Sequence, residues 1–171
     1  MREFKDIASF ARFIEDRVLP AVPRAVHRGV EDGAIRIRKA TQAQLGQYLD
    51  GPESGLPTAP LADSTINERV RLGFTPDDPG LRTGDMRDSY GERVSGAGTK
   101  VTAYIGSDDI KAVVFEVGRL EAGNYQPPRP ELAVAAARNE DKAANGVARV
   151  LVRTLSGRPL PNIPDDEDVT P

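Results

Sequence analysis

Cysteine is absent from the 171-residue chain, which removes disulfides, thiolate zinc sites and cysteine nucleophiles together. Tryptophan is missing as well, and aromatics amount to 5%. A core built with so few rings has to be assembled from Val, Ile, Leu and Ala. Such a core is thin, and a thin core often goes with stabilisation by neighbouring subunits. Only one histidine is present, His27, so a triad base, a metal ligand set or a proton shuttle would each rest on it alone. It lies between "AV" and "RG" in a basic segment and reads as a surface or packing residue. No window approaches the ~20 apolar residues of a membrane span. The start "REFKDIASF" carries charges every few residues, unlike the apolar stretch of a secretory signal. The expectation is a soluble intracellular product with no membrane partner.

The formal net charge is −3, and it is spread unevenly. Residues 1–49 hold nine Lys and Arg against six Asp and Glu, whereas the ending "SGRPLPNIPDDEDVTP" holds four acids against one Arg. Overall acidity argues against a dedicated nucleic-acid binder, although a local basic face on the early helices stays open. The length suits one domain. We expect a single unit over 1–155 and an acidic, proline-rich tail over 156–171 that remains disordered unless a partner orders it.

Phe4, Ile7, Ala11, Ile14 and Val18 recur at helical spacing and predict an amphipathic helix ended or kinked by Pro20 and Pro23. A second helix is predicted from about 24 to 49, with Val26, Val30, Ala34, Ile37, Thr41, Leu45 and Leu49 as its stripe. Gly29 and Gly33 should weaken it. "DGPESGLPTAP" at 50–60 is a loop. "LADSTINERVRLG" predicts a short helix with Asp63, Ser64 or Thr65 as its cap, Thr65 and Glu68 fitting a capping box, and Gly73 as its stop. Helical turns follow at 83–88 with Thr83 as N-cap, then a hairpin turning at 95–98. "DIKAVVFEVG" fits a helical turn or a strand equally. "NYQPPRP" is an extended loop, and an alanine-rich helix starts at Glu131, with Leu132, Ala136, Ala143, Val147, Val150 and Leu151 apolar and Asn145 and Gly146 as its weak point. Helices, then strands, then a helix make an α+β layout: a small antiparallel β-sheet packed against long N-terminal and C-terminal helices.

Catalytic patterns are missing. Asp85 and Asp88, three apart, share a helix face but serve as well for capping and pairing with Arg82 or Arg87. Adjacent acids at 165–168 do not preorganise a cation shell. "GAGTK" at 96–100 lacks the spacing and following helix of a phosphate loop. No catalytic residue, metal ligand or cofactor is expected.

A run of short motifs carries more. These are Pro60, Leu61, Ser64 and Thr65; then Thr83, Gly84, Met86, Arg87 and Ser89; then Phe115, Glu116 and Gly118; then Arg129 and Pro130 before the last helix. In this order, over roughly residues 56–155, the chain resembles the tail-completion, or head-tail joining, proteins of long-tailed bacteriophages, also described as neck or minor tail proteins. The family often has an aromatic after "RP", where this chain has Glu131. The resemblance implies a structural virion protein, not an enzyme, that is made in the host cytoplasm and assembles with itself as a ring, commonly a hexamer. That ring would meet a connector or adaptor on one face and a tail terminator or tail tube protein on the other, with genomic DNA passing through the lumen without sequence-specific binding. It further implies subunit or partner contacts at Arg82, Arg87, Glu116, Arg129 and Pro130. Thr83 and Gly84 would make the structural turn that sends Met86 inward and Arg82 and Arg87 outward. A small regulatory DNA-binding protein using the basic segment 24–39 is the alternative.

Overall fold

The computed structural model describes residues 3–49, 58–121 and 123–158. The expected loop at 50–60 therefore lies outside the described residues up to position 57, and the expected acidic tail lies outside them from 159 onward. Among the described residues the fold is α+β, with six α-helices and two separate two-stranded antiparallel ribbons.

Helix α1, Ile7–Phe13, is opened by a capping box in which Asp6 accepts from the Ser9 amide at 2.7 Å and Ser9 Oγ accepts from the Asp6 amide. It runs into a π-helical turn, Ile14–Val18. The helical spacing was right, but the predicted stripe does not pack on the body, because only Val18 of its five residues is buried. Phe4 instead packs against Phe10 and Phe13, with ring centroids 5.2 Å apart in both pairs. The chain turns at Leu19–Ala21, and Pro23 falls at the start of the next helix, where its missing N–H is not needed.

That helix, α2, spans Val22–Gln44 and turns its buried face through Ala25, Gly29, Gly33, Arg36, Ala40 and Gln44. The helix stops at Gln44, short of the expected 49, and of the predicted stripe Ala34, Thr41, Leu45 and Leu49 are buried while Val26, Val30 and Ile37 are only half-buried, the tightest packing lying on the glycine side. The reason is α6, Leu132–Leu155, which packs along α2 in the antiparallel sense. A Cβ on Gly29 would lie 2.8 Å from the Val147 Cα, and one on Gly33 would lie 3.1 Å from the Ala143 Cβ. The glycines are thus points of closest approach and not weak spots. Gly29→Ala should accordingly lose about 1–2 kcal/mol in urea unfolding, overpacking outweighing the ~1 kcal/mol gain in helix propensity. Equal or higher stability would show that the two helices do not need this approach.

The first ribbon, β1 (Tyr90–Ala97) with β2 (Lys100–Ser107), pairs Tyr90 with Ser107 at one end and Ala97 with Lys100 at the other. Its turn is therefore Gly98-Thr99, later than the expected 95–98, and Gly98 supplies φ 64° there. The ribbon packs on α2, so α2 meets both the ribbon and α6; the expectation of one sheet against two long helices is corrected to this extent. Helix α3, Asp63–Arg71, starts from Ala62 without a side-chain cap, so the predicted capping box of Thr65 and Glu68 does not form and both lie inside the helix. Gly73, at φ 76°, ends it as expected. Helix α4, Asp85–Asp88, has Gly84 at its N-cap position with φ 92°, the place predicted for Thr83. The ambiguous β-branched run becomes α5, Ile110–Val117, because Asp109 caps it through the Lys111 amide at 2.9 Å and Gly118 turns the chain out at φ 74°. Where an extended loop was predicted, a second ribbon forms from β3 (Arg119–Glu121) and β4 (Asn124–Gln126). Helix α6 passes through Gly146 unbroken.

The packed centre is small. Leu45, Met86, Tyr90 and Ala112 form it, with Phe115 and Leu132 against them, so the end of α2, α4, β1, α5 and the start of α6 meet at one point.

Candidate functional site

Beside that centre lies a cleft of about 840 Å³. Its walls come from stretches far apart in the chain, among them Pro60, Leu61 and Thr65; Arg69 and Phe74; Arg82, Thr83, Gly84 and Met86; Lys111 and Phe115; and Tyr125, Pro127 and Arg129. Met86 is buried, as expected, and its methyl end approaches Gly80, at φ 74°, where a Cβ would sit 3.1 Å from it.

Arg129 holds the floor. It is buried, and it donates from Nε to the Ala59 carbonyl at 2.9 Å and from Nη2 to the Pro60 carbonyl at 3.0 Å. Its guanidinium also lies 5.8 Å from the Phe115 ring centre. Burial lowers its pKa from the usual value, against the raising influence of Tyr48 and Glu131. Arg69, not singled out in the sequence, does the same work for the opposite wall by donating to the carbonyls of Asp78 at 2.7 Å and Thr75 at 3.3 Å. Tyr48 accepts from the Leu61 amide at 3.2 Å and is bonded to Asp77. Each is a long polar side chain reaching a loop carbonyl or amide, a contact with no signature in local spacing.

Glu116 lies behind the cleft, and its carboxylate accepts three backbone bonds: from Glu131 at 3.0 Å, Leu132 at 3.1 Å and Ala133 at 2.8 Å. These are the first amides of α6, unpaired within the helix and at its positive end, so a side chain from α5 serves as its cap. Pro130, half-buried, precedes that cap. Glu131 is fully buried, and neither carboxyl oxygen has a hydrogen-bond partner. Burial, reinforced by the neighbouring Glu116 charge and opposed by Arg129, pushes its carboxyl up to about 8. Tyr90 is likewise pushed up to about 12, by burial first and then by Glu116 and Glu131. The chain's departure from the aromatic pattern at 131 was the one sequence signal for this group.

The turn residues split. Arg82 is exposed, 3.4 Å from Glu68 and 5.0 Å from the Phe74 ring centre. Thr83 Oγ1 bonds the Asp85 carboxylate at 2.7 Å. Arg87 does not line the cleft and pairs with Asp88 at 2.8 Å. Asp85 and Asp88 thus go to separate partners. Of the residues expected at an interface, then, the cleft gathers Arg82 and Arg129 together with the turn at Thr83 and Gly84, while Glu116 and Arg129 are engaged inside the chain. His27 is exposed on α2. No group of three or more metal-binding side chains occurs among the described residues, and no helix among them is long and apolar enough to cross a membrane. Compared with protein-family models, with curated proteins and with solved structures, the chain matches none.

Proposed function

We propose that this chain is a structural protein of a phage-type head-tail junction, a ring-forming subunit that joins the capsid connector to the tail. The observation that carries the reading is the convergence of all four motif groups on one cleft: the Pro60–Thr65 stretch, the Thr83-Gly84 turn, Phe115 and Arg129. Motifs shared with a family need not meet in space unless they serve one architecture. Of their charged members, Glu116 and Arg129 are bonded to backbone and Arg87 is paired with Asp88, roles in holding loops and not in converting a substrate. The cleft then serves as a docking hollow, with Arg82 on its exposed side.

The alternative, DNA binding by residues 24–39, draws less support. Arg28 is paired with Glu31 and Asp32, Arg38 is bonded to Glu92, and Arg36 is buried. Cations already neutralised by the chain release few counterions from DNA. The test is deletion of the gene in the particle that encodes it. Full heads and complete tails that fail to join are expected, with joining restored by the purified protein; normal particles would overturn the proposal. Retarded DNA migration that weakens steeply with salt would favour the alternative.

A further inference from the structure

The surface of α5 does not suit a solitary chain. Ala112 and Phe115 face the packed centre, yet Ile110, Val113 and Val117, at helical spacing on the other side, are 72%, 52% and 68% exposed. Apart from Lys111 and Glu116, the helix is thus apolar on the face away from the centre as well as on the face toward it, and such a second face calls for cover. The second ribbon, which follows α5 directly in the chain, adds exposed Leu120 directly opposite exposed Tyr125. Single exposed apolar residues are ordinary, but five within residues 110–125 form a surface that calls for a partner.

The same chain carries a second uncovered apolar element. Helix α1 buries none of its residues, and Ile7 is 87% exposed. Its substantial packing is with the π-helical turn that follows it. A helix of this length is marginal in water without tertiary packing, whatever its caps. Phe4, Phe10 and Phe13 are already stacked into a ridge, and the arm leaves the body through the turn at Leu19–Ala21.

We propose that the α1 arm of one copy docks on the α5 and β3–β4 face of a second copy, head to tail, so that copies associate by passing arms around a ring. This rests on the reading that the chain self-assembles. The occupant is a second copy because one chain holds both halves of the contact. In a heterologous interface each subunit gives its ridge to one neighbour and its face to the other, and closure leaves neither exposed; a foreign partner would cover one and leave the other. The area also suits. Burying side chains of this size removes about 60–120 Å² each at ~25 cal/mol per Å². Ile7, Phe10 and the five face residues together thus give roughly 400–800 Å², a large part of the ~1,000 Å² needed for a specific contact before flanking polar side chains are counted.

The absence of cysteine makes the test direct, since introduced thiols can pair only with each other. Ile7 and Val117 are both exposed, so Ile7→Cys and Val117→Cys leave the core untouched. The double variant, oxidised and run on a denaturing gel without reductant, should give a ladder of covalent multimers whose top rung is the ring number. Mixing the two single variants should give a covalent dimer and nothing larger. An internally linked monomer would mean that the arm folds back on its own body, and this overturns the proposal. So does the absence of any linkage. Sedimentation of the same samples separates this from the fate of the ring: a high oligomer without a ladder refutes arm passing and leaves the ring standing. A monomer without a ladder refutes arm passing and leaves the joining assay to decide the rest.

Discussion

Glu116→Ala should lower the unfolding free energy by about 3–4 kcal/mol, and Glu116→Gln by about 2 kcal/mol, on the strength of charge-assisted bonds to a helix terminus. The carboxylate bonds the amides of Glu131, Leu132 and Ala133, and Pro130 and the buried Glu131 around them restrict replacement by water. Glutamine keeps one acceptor oxygen but loses the charge that opposes the positive end of α6. Both substitutions remove the Glu116 charge that raises the Glu131 carboxyl, so the acceptor that glutamine retains is why its cost is the smaller. Urea unfolding gives the free energy, and hydrogen exchange at residues 131–133 gives the location. Faster exchange at these amides, with the α2 amides changed only by the global loss of stability, is the expected signature. A Glu116→Ala protein within 0.5 kcal/mol of the parent would mean that the helix start is held by other groups.

This cap also marks where local reading of the sequence stops. The elements themselves were legible: α6, α2 and the first ribbon arise where periodicity placed them, and Gly73 ends α3, although of the apolar positions predicted for α6 only Val150 is buried and Val134 and Ala135 are buried instead. The faces were less so. In the expected α2 stripe Ala34, Thr41, Leu45 and Leu49 are buried but the larger Val26, Val30 and Ile37 are only half-buried, whereas Ala25, Gly29 and Gly33, whose smallness lets α6 approach, are buried outside it. Close approach selects against size, so a count of hydrophobicity misses the residues of tightest packing. Helix α1 has the pattern of a buried helix but lies exposed, since amphipathicity says that a face wants cover without saying from which chain. Within the site, position and role also separated. Thr83, Gly84, Arg82 and Arg129 line one cleft, but Glu116 and Arg129 reach partners 15 to 17 and 69 to 70 residues away, distances at which no spacing rule operates. Arg69 reaches carbonyls only six and nine residues on, but they belong to an irregular loop whose path no periodicity gives.

Glu131→Gln should stabilise the protein, and the gain should grow with pH. The parent carboxyl is fully buried without a hydrogen-bond partner, and in the folded state it holds its proton up to about 8, against an ordinary value of 4.5 in the unfolded chain. Below about pH 4.5 both states are protonated, and the group imposes no ionisation penalty. Between 4.5 and about 8 the unfolded chain releases the proton that the folded chain retains, so stability falls by about 1.4 kcal/mol for each pH unit. Above about 8 both states are ionised, and the loss levels off at up to about 5 kcal/mol. Glutamine matches the neutral acid in shape and does not titrate, so parent and variant should be nearly equal at pH 4.5 and differ by roughly 3 kcal/mol at pH 7. For a chain of this size that is roughly 6–12 °C in Tm. The decisive quantity is the difference between the two melting curves across pH 4.5–8.5, in which every other titrating group cancels. A difference that stays flat would show that Glu131 ionises as readily folded as unfolded, and a variant less stable at pH 7 would show that its carboxylate is held by a partner.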